Sequence, residues 1–91
     1  MKVSLHALSR YRERIETEDA GDDDGVTGKI LRAFRYSRPV QLRSAKERVS
    51  KLLRHGVKTS YHQTQDMVLV VADGSVVSVY IYTRDRWQPV K

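Results

Sequence analysis

The stretch Met67-Val-Leu-Val-Val-Ala72, Asp73-Gly74, Ser75-Val-Val-Ser-Val-Tyr-Ile-Tyr82 sets two β-branched runs on either side of an Asp-Gly pair. Asp-Gly suits a two-residue type I′ turn, because both central residues of that turn need φ > 0. A hairpin closed there carries its own register. Ala72 is expected opposite Ser75, Val70 opposite Val77, Val68 opposite Val79 and Asp66 opposite Ile81 on one side. Val71 and Val76, Leu69 and Ser78, and Met67 and Tyr80 are expected to meet on the other. Successive strand side chains point to opposite faces. The first face is therefore apolar and needs a cover of helices. The second sets Ser78, Tyr80 and Tyr82 among Met67, Leu69 and Val71.

Working outward, Val57 to Gln63 alternates as a strand. A turn at Thr64-Gln65 would pair it with the Met67 strand, bringing Tyr61 opposite Val68 and His62 opposite Met67. That register puts His62 on the surface of Ser78 and Tyr80. Upstream, Ser44-Ala-Lys-Glu47 is a capping box, in which Ser and Glu each satisfy a backbone N–H at a helix start. The helix runs to His55 with Gly56 as its stop, and Ala45, Val49, Leu52 and Leu53 form its expected buried stripe. Val26 to about Tyr36 is a second amphipathic helix, capped by Asp24 or Thr27 and ended by Pro39. Ser4 is a candidate N-cap for a helix from Leu5 to about Glu18. Its core stripe is Leu5, Leu8, Arg12 and Ile15, with Tyr11 at the edge. His6, Arg10, Glu13 and Arg14 fall on the solvent side. Asp19 to Gly25 breaks the chain between helices. A calcium loop ending its Asp-x-Asp-x-Asp-Gly signature at Gly25 would need an acid at Ala20 and a Glu at Leu31, so the match fails. Thr83 to Pro89 is a polar tail with one tryptophan.

Helices followed by a run of strands predict an α+β fold. Two to three N-terminal helices should pack on one face of a small, three- to four-stranded antiparallel sheet. With 91 residues the chain is expected to form one domain spanning 1–91, burying roughly 60–65% of its unfolded surface. At 40% apolar and 31% charged residues, the composition is that of a globular chain. Without cysteine there is no disulfide framework and no thiolate nucleophile or ligand. The longest apolar run, Met67 to Ala72, is too short to span a bilayer, and Met1-Lys2-Val3-Ser4 does not lead into a signal-peptide core. A cytoplasmic location with no membrane partner is expected.

The formal charge is +6. Arg35, Arg38, Arg43, Lys46, Arg48, Lys51, Arg54 and Lys58 face a single acid, Glu47, in the middle third. Such a segment suits a polyanion, RNA or another nucleic acid. It is equally a solvated helix face. His6 and Arg10 lie one helical turn apart and form a row with Arg14. Cleavage of an RNA phosphodiester needs a base for the 2′-hydroxyl, an acid for the leaving 5′-oxygen and cations for the charge that develops on phosphate. Ser78 and Tyr80 supply hydroxyls that bind phosphate, and tyrosine also stacks on bases. The histidines at 6, 55 and 62 have no zinc spacing, and no phosphate-cradling glycine loop is present. No metal and no cofactor are expected.

Two motifs at the ends of the chain add a resemblance. Ser4-Leu-His6-Ala-Leu-Ser-Arg10-Tyr-Arg-Glu-Arg14-Ile resembles the opening His-Ala-x-x-Arg-x-x-x-Arg helix of a group of small bacterial domains. Val70-Val-Ala-Asp-Gly-Ser-Val-Val-Ser-Val-Tyr80 resembles their closing hairpin. Such domains resemble the barnase, colicin and RelE-like ribonuclease-toxin superfamily, which places helices before an antiparallel sheet and cleaves RNA without a metal. The resemblance implies a site built from His6, Arg10 and Ser78, with Tyr80 nearby. Serine stands at 78 where such domains more often have threonine. The match covers about a dozen residues at each end, and the Asp-rich insert and basic third helix have no counterpart.

Three readings follow. The first is a metal-independent endoribonuclease, toxin-like, with His6, Arg10, Ser78 and Tyr80 as catalytic residues. In it Arg14, Arg43, Lys46, Lys51, Arg54 and His62 bind the nucleic acid. The second is a non-catalytic nucleic-acid-binding or regulatory protein using the Arg43–Arg54 helix. The third is an interaction module for an acidic protein partner such as an antitoxin.

Overall fold

A computed structural model describes residues 1–18, 21–55 and 58–90. Its elements run β1 (Lys2–Val3), α1 (Leu5–Arg14), α2 (Asp23–Arg35), β2 (Arg38–Leu42), α3 (Ala45–His55), β3 (Ser60–Thr64), β4 (Met67–Ala72), β5 (Ser75–Ile81) and β6 (Trp87–Pro89). The α+β class holds. The sheet is larger than three or four antiparallel strands: it has six, ordered β1-β5-β4-β3-β2-β6, with β1 parallel to β5 and the other pairs antiparallel. The added strands lack a sequence signal for physical reasons. β1 and β6 are two and three residues long, and β2 carries Pro39, which cannot donate to a ladder.

The Asp73-Gly74 turn forms as its residue types require, with φ of 53° and 74°. Ala72 pairs with Ser75 and Val71 with Val76. The register then departs from simple alternation. Val70 pairs with Ser78, Leu69 with Val79, Val68 with Tyr80 and Met67 with Ile81. Val77 is the extra residue of a β-bulge, where two residues of one strand oppose one of the other. On the far side of β4, Tyr61 pairs with Val70 and His62 with Leu69 about a Gln65-Asp66 turn, two residues from the expected register. A two-residue shift preserves faces; the one-residue bulge exchanges them.

The faces therefore sort differently from the expectation. Met67, Leu69, Val76 and Val79 form the core under α1 and α2, with Ala7, Leu8, Tyr11, Val26, Ile30 and Ala33. Val68 joins Val40, Leu42 and Trp87 on the opposite face, where Tyr61, Tyr80 and Tyr82 pack against them. Only Val79 of the expected helix-covered valines keeps its place. His62 lies on the α2 side, its ring edge-on to Phe34 at 4.9 Å, and so faces away from Ser78 and Tyr80.

The helices differ at their ends. α1 stops at Arg14, and Leu5 is 78% exposed rather than core. α2 begins at Asp23, because Asp22 is the cap and accepts from the Gly25 N–H at 2.8 Å, while Asp23 and Asp24 favour the positive end of the helix dipole. α1 and α2 are tied by Tyr11, which donates to Glu16 at 2.5 Å, and by Lys29, which reaches the other Glu16 oxygen at 3.0 Å. Burial, with Glu16 adding to it, pushes the Tyr11 phenol up to about 12. α3 starts with the serine half of its capping box, Ser44 accepting from the Glu47 N–H, while the Glu47 carboxylate accepts from Arg86. It lies on the other face of the sheet, so the helices do not share one face. Its expected buried stripe is exposed at Val49, Leu52 and Leu53. The Gly56 stop, the Val57 strand start and Asp19 lie outside the described residues.

Burial against Phe34 holds the His62 pKa below its ordinary value of about 6.5. As pH falls through that value, the unfolded chain takes up a proton that the folded chain refuses, so stability is lost on acidification until the folded pKa is passed. The melting temperature of the wild type should fall between about pH 7 and pH 5.5. His62→Gln should flatten that dependence. Equal slopes for the two proteins would show that His62 does not titrate differently on folding.

Candidate functional site

The site begins at Ser4. Its backbone N–H donates to Val76 O at 2.9 Å, and its hydroxyl donates to Val77 O at 3.3 Å while accepting from the Ala7 N–H at 3.0 Å. One residue thus caps α1 and fastens it to the bulge in β5. Burial of Ala7, Leu8 and Tyr11 fixes the rotation of the helix. His6, Arg10 and Arg14, four residues apart, then share one edge of it. Periodicity alone assigns that edge to solvent. In the structure His6 is exposed as expected, while Arg10 and Arg14 are half-buried where the edge runs beside β5, and Arg14 Nη1 donates to Val79 O at 2.8 Å.

Past the bulge, Ser78 and Tyr80 alternate onto the face away from α2, and α3 brings Lys51 and Arg54 to the same place. His6, Arg10, Arg14, Lys51, Arg54, Val77, Ser78 and Tyr80 together line a cleft of about 420 Å³. The four residues expected to be catalytic, His6, Arg10, Ser78 and Tyr80, are all in it. So are Arg14, Lys51 and Arg54 of the six expected to bind nucleic acid. Arg43 donates instead to Arg84 O at 2.7 Å, Lys46 stands exposed on the first turn of α3, and His62 lies on the other side of the sheet. The His62 expectation is corrected by the bulge.

Tyr80 is the centre of the charge. Lys51 Nζ lies 2.8 Å from its hydroxyl oxygen and 4.6 Å from its ring centroid. The guanidinium carbons of Arg14 and Arg86 lie over the same ring at 5.1 and 5.4 Å. An ammonium group only donates. The phenol oxygen therefore accepts from Lys51, and the phenol's own proton is directed elsewhere. Trp87, fully buried, holds the ring from behind at 6.2 Å between centroids. Ser78 is 4% exposed and contributes from the floor.

Two carboxylates stand beside the cations. Glu13 pairs with Arg10 at 2.7 Å and Glu47 with Arg86 at 3.2 Å. Arg14, Lys51 and Arg54 keep the cleft positive, and a cleft lined by one sign of charge concentrates anions. Among the described residues no group of three His, Asp or Glu side chains could hold a metal ion. Arg86 is the residue that sequence reasoning missed. The available signal was Trp87: a lone tryptophan in a polar tail gains most by burial, and its burial carries Arg86 onto Tyr80.

Replacing Ser4 by Ala removes the cap and the hydroxyl's bond to the bulge. The expected loss of stability is about 1 kcal/mol, read from chemical denaturation. An unchanged midpoint would show that α1 is held on β5 by its apolar face alone. Comparison of the chain with models of protein families, with curated proteins and with solved structures gave no match.

Proposed function

We propose that this protein is a metal-independent endoribonuclease, toxin-like in kind, that cleaves RNA phosphodiesters in the cationic cleft. One observation carries the reading: the bulge and the Ser4 cap bring His6 and Arg10, from one end of the chain, together with Ser78 and Tyr80, from the other. These are the residues that the resemblance to barnase-, colicin- and RelE-like domains implies.

In this reading the 2′-oxygen attacks phosphorus and the bond to O5′ breaks. His6 takes the 2′-hydroxyl proton. Tyr80, whose oxygen is already bonded to Lys51, supplies a proton to O5′. Arg10, Arg14 and Arg54 face the negative charge that grows on the phosphoryl oxygens, and Ser78 fixes one of those oxygens from the floor. Fixed cations in a partly closed cleft stabilise such charge far better than water-exposed ones. The products are a 2′,3′-cyclic phosphate and a 5′-hydroxyl.

The test is cleavage of a labelled single-stranded RNA by the purified protein with EDTA present. Wild type should cleave and leave cyclic phosphate ends. His6→Ala and Tyr80→Phe should each lower kcat/KM by about 10²- to 10⁴-fold. A wild type no more active than His6→Ala would end the reading.

The second reading, a non-catalytic nucleic-acid binder, draws on the cations of α3, whose Lys46 and Arg48 extend the basic surface beyond the cleft. If it is correct, log K should fall with log salt at a slope of about −0.7 per phosphate contact on single strands, with no cleavage at any salt. Charge reversal of Lys46, Lys51 and Arg54 to Glu should then abolish binding.

A further inference from the structure

A second concavity lies on the same side of the sheet as the cleft. α3 stands off β2 and β3 and leaves a groove of about 500 Å³. Val40, Leu42 and Tyr61 of the sheet form its apolar base, and Val49 and Leu52 of α3 form its wall. Val49, Leu52 and Leu53 share one stripe of α3 at the i, i+3, i+4 spacing, yet they are 57%, 46% and 83% exposed. A helix of a globular protein ordinarily buries such a stripe against its own core. Here the core beneath is already filled by Trp87, Val68 and the tyrosines around them.

The rim of the groove is basic. Arg48 and Lys51 line it directly, Arg38 belongs to the strand and Lys46 to the helix that flank it, and Arg43 lies in the connection between the two. The one acid on α3, Glu47, already accepts from Arg86. An apolar slot between cations is complementary to a segment that offers apolar anchors and carboxylates together. We propose that this groove binds an acidic amphipathic helix of a partner protein. Anchors at i, i+3/i+4 and i+7 would fill the space between α3 and the sheet, and the flanking carboxylates would pair with Arg48 and Lys51. Helix-in-groove recognition works in this way.

Lys51 gives the binding a consequence. It lines the groove and also the cleft, where it holds the Tyr80 hydroxyl. A carboxylate that takes Lys51 from the groove side withdraws it from Tyr80 and from any phosphate in the cleft. Occupancy of the groove therefore switches the cleft off. This consequence rests on the ribonuclease reading; the binding does not.

The probe is a fluorescein-labelled peptide of about 20 residues, long enough to be helical, with leucines at that anchor spacing and glutamates between them. Its control is a scrambled peptide of the same composition, which keeps the charge and loses the stripe. Fluorescence anisotropy with the full chain reads binding without reference to any activity. The patterned peptide should bind at least about tenfold tighter than the scrambled one, a difference of about 1.4 kcal/mol. Leu52→Asp and Val49→Asp, both at solvent-exposed positions and outside the cleft, should each remove that advantage. Equal binding of the two peptides, or no effect of either substitution, overturns the proposal. So does a concentration-dependent dimer in sedimentation that Leu52→Asp abolishes, because a second copy of this chain then fills the groove. Where RNA is cleaved, the patterned peptide should inhibit the wild type and not Leu52→Asp. A protein that binds the peptide and cleaves no RNA would keep the docking site and lose only the ribonuclease reading.

Discussion

One extra residue in one strand decides which side chains share a surface. In a hairpin with strict pairing, Ser78 and Tyr80 lie on the face of Met67 and Leu69, which here is the fully buried core under α1 and α2. Two hydroxyls there would need partners in an apolar layer, at a cost of about 1–3 kcal/mol for each left unpaired. The bulge at Val77 turns them out to the other face and leaves Val76 and Val79, three residues apart, both in the core. The hydroxyl of Ser4 donates to the carbonyl of Val77, and its backbone N–H to that of Val76. The feature that reorients the strand is therefore also the feature that anchors α1, and through α1 it sets the direction of His6, Arg10 and Arg14.

What the sequence makes legible follows from what is local. The Asp73-Gly74 turn, the Ser4 cap and the Ser44 cap each rest on residues within a few positions of one another, and each forms as its chemistry requires. The short strands are held only by pairing partners remote in sequence, β1 on β5 and β6 on β2, so no period of their own marks them. The bulge has no signature either, because Val76-Val-Ser-Val reads as an unbroken β run. That one step carried His62 to the wrong surface in the sequence reading. His6, Arg10, Ser78 and Tyr80 nevertheless line one cleft, and the end motifs that suggested them do not depend on register.

Tyr80 joins parts of the molecule that otherwise meet little. α1 reaches it through Arg14, α3 through Lys51, the turn before β6 through Arg86 and β6 itself through Trp87. Three cations around one ring repel each other; Glu47 balances Arg86, and the ring face and phenol oxygen offset only part of the repulsion between Arg14 and Lys51. An anion in the cleft would relieve it. A cleft so arranged favours negative charge in the same sense that a helix N-terminus does, though here the charges are whole and are carried by side chains.

The two layers also differ in what holds them. α1 and α2 sit on the sheet through residues buried almost completely, with a Tyr11–Glu16–Lys29 chain between them. α3 is held chiefly by polar contacts at its start, Arg48 to the Leu42 and Arg43 carbonyls and Glu47 to Arg86, and it leaves its apolar stripe uncovered. Segments with few buried apolar contacts open at lower free energy than the core they rest on. The cleft lies on the seam between these layers: His6, Arg10 and Arg14 come from the firmly packed side, Lys51 and Arg54 from the loosely packed one. On the ribonuclease reading, proton transfer would draw on the fixed geometry of α1 and β5. Control would draw on an element whose position is inexpensive to change, and among the described elements α3 meets that condition while carrying Lys51, in contact with Tyr80.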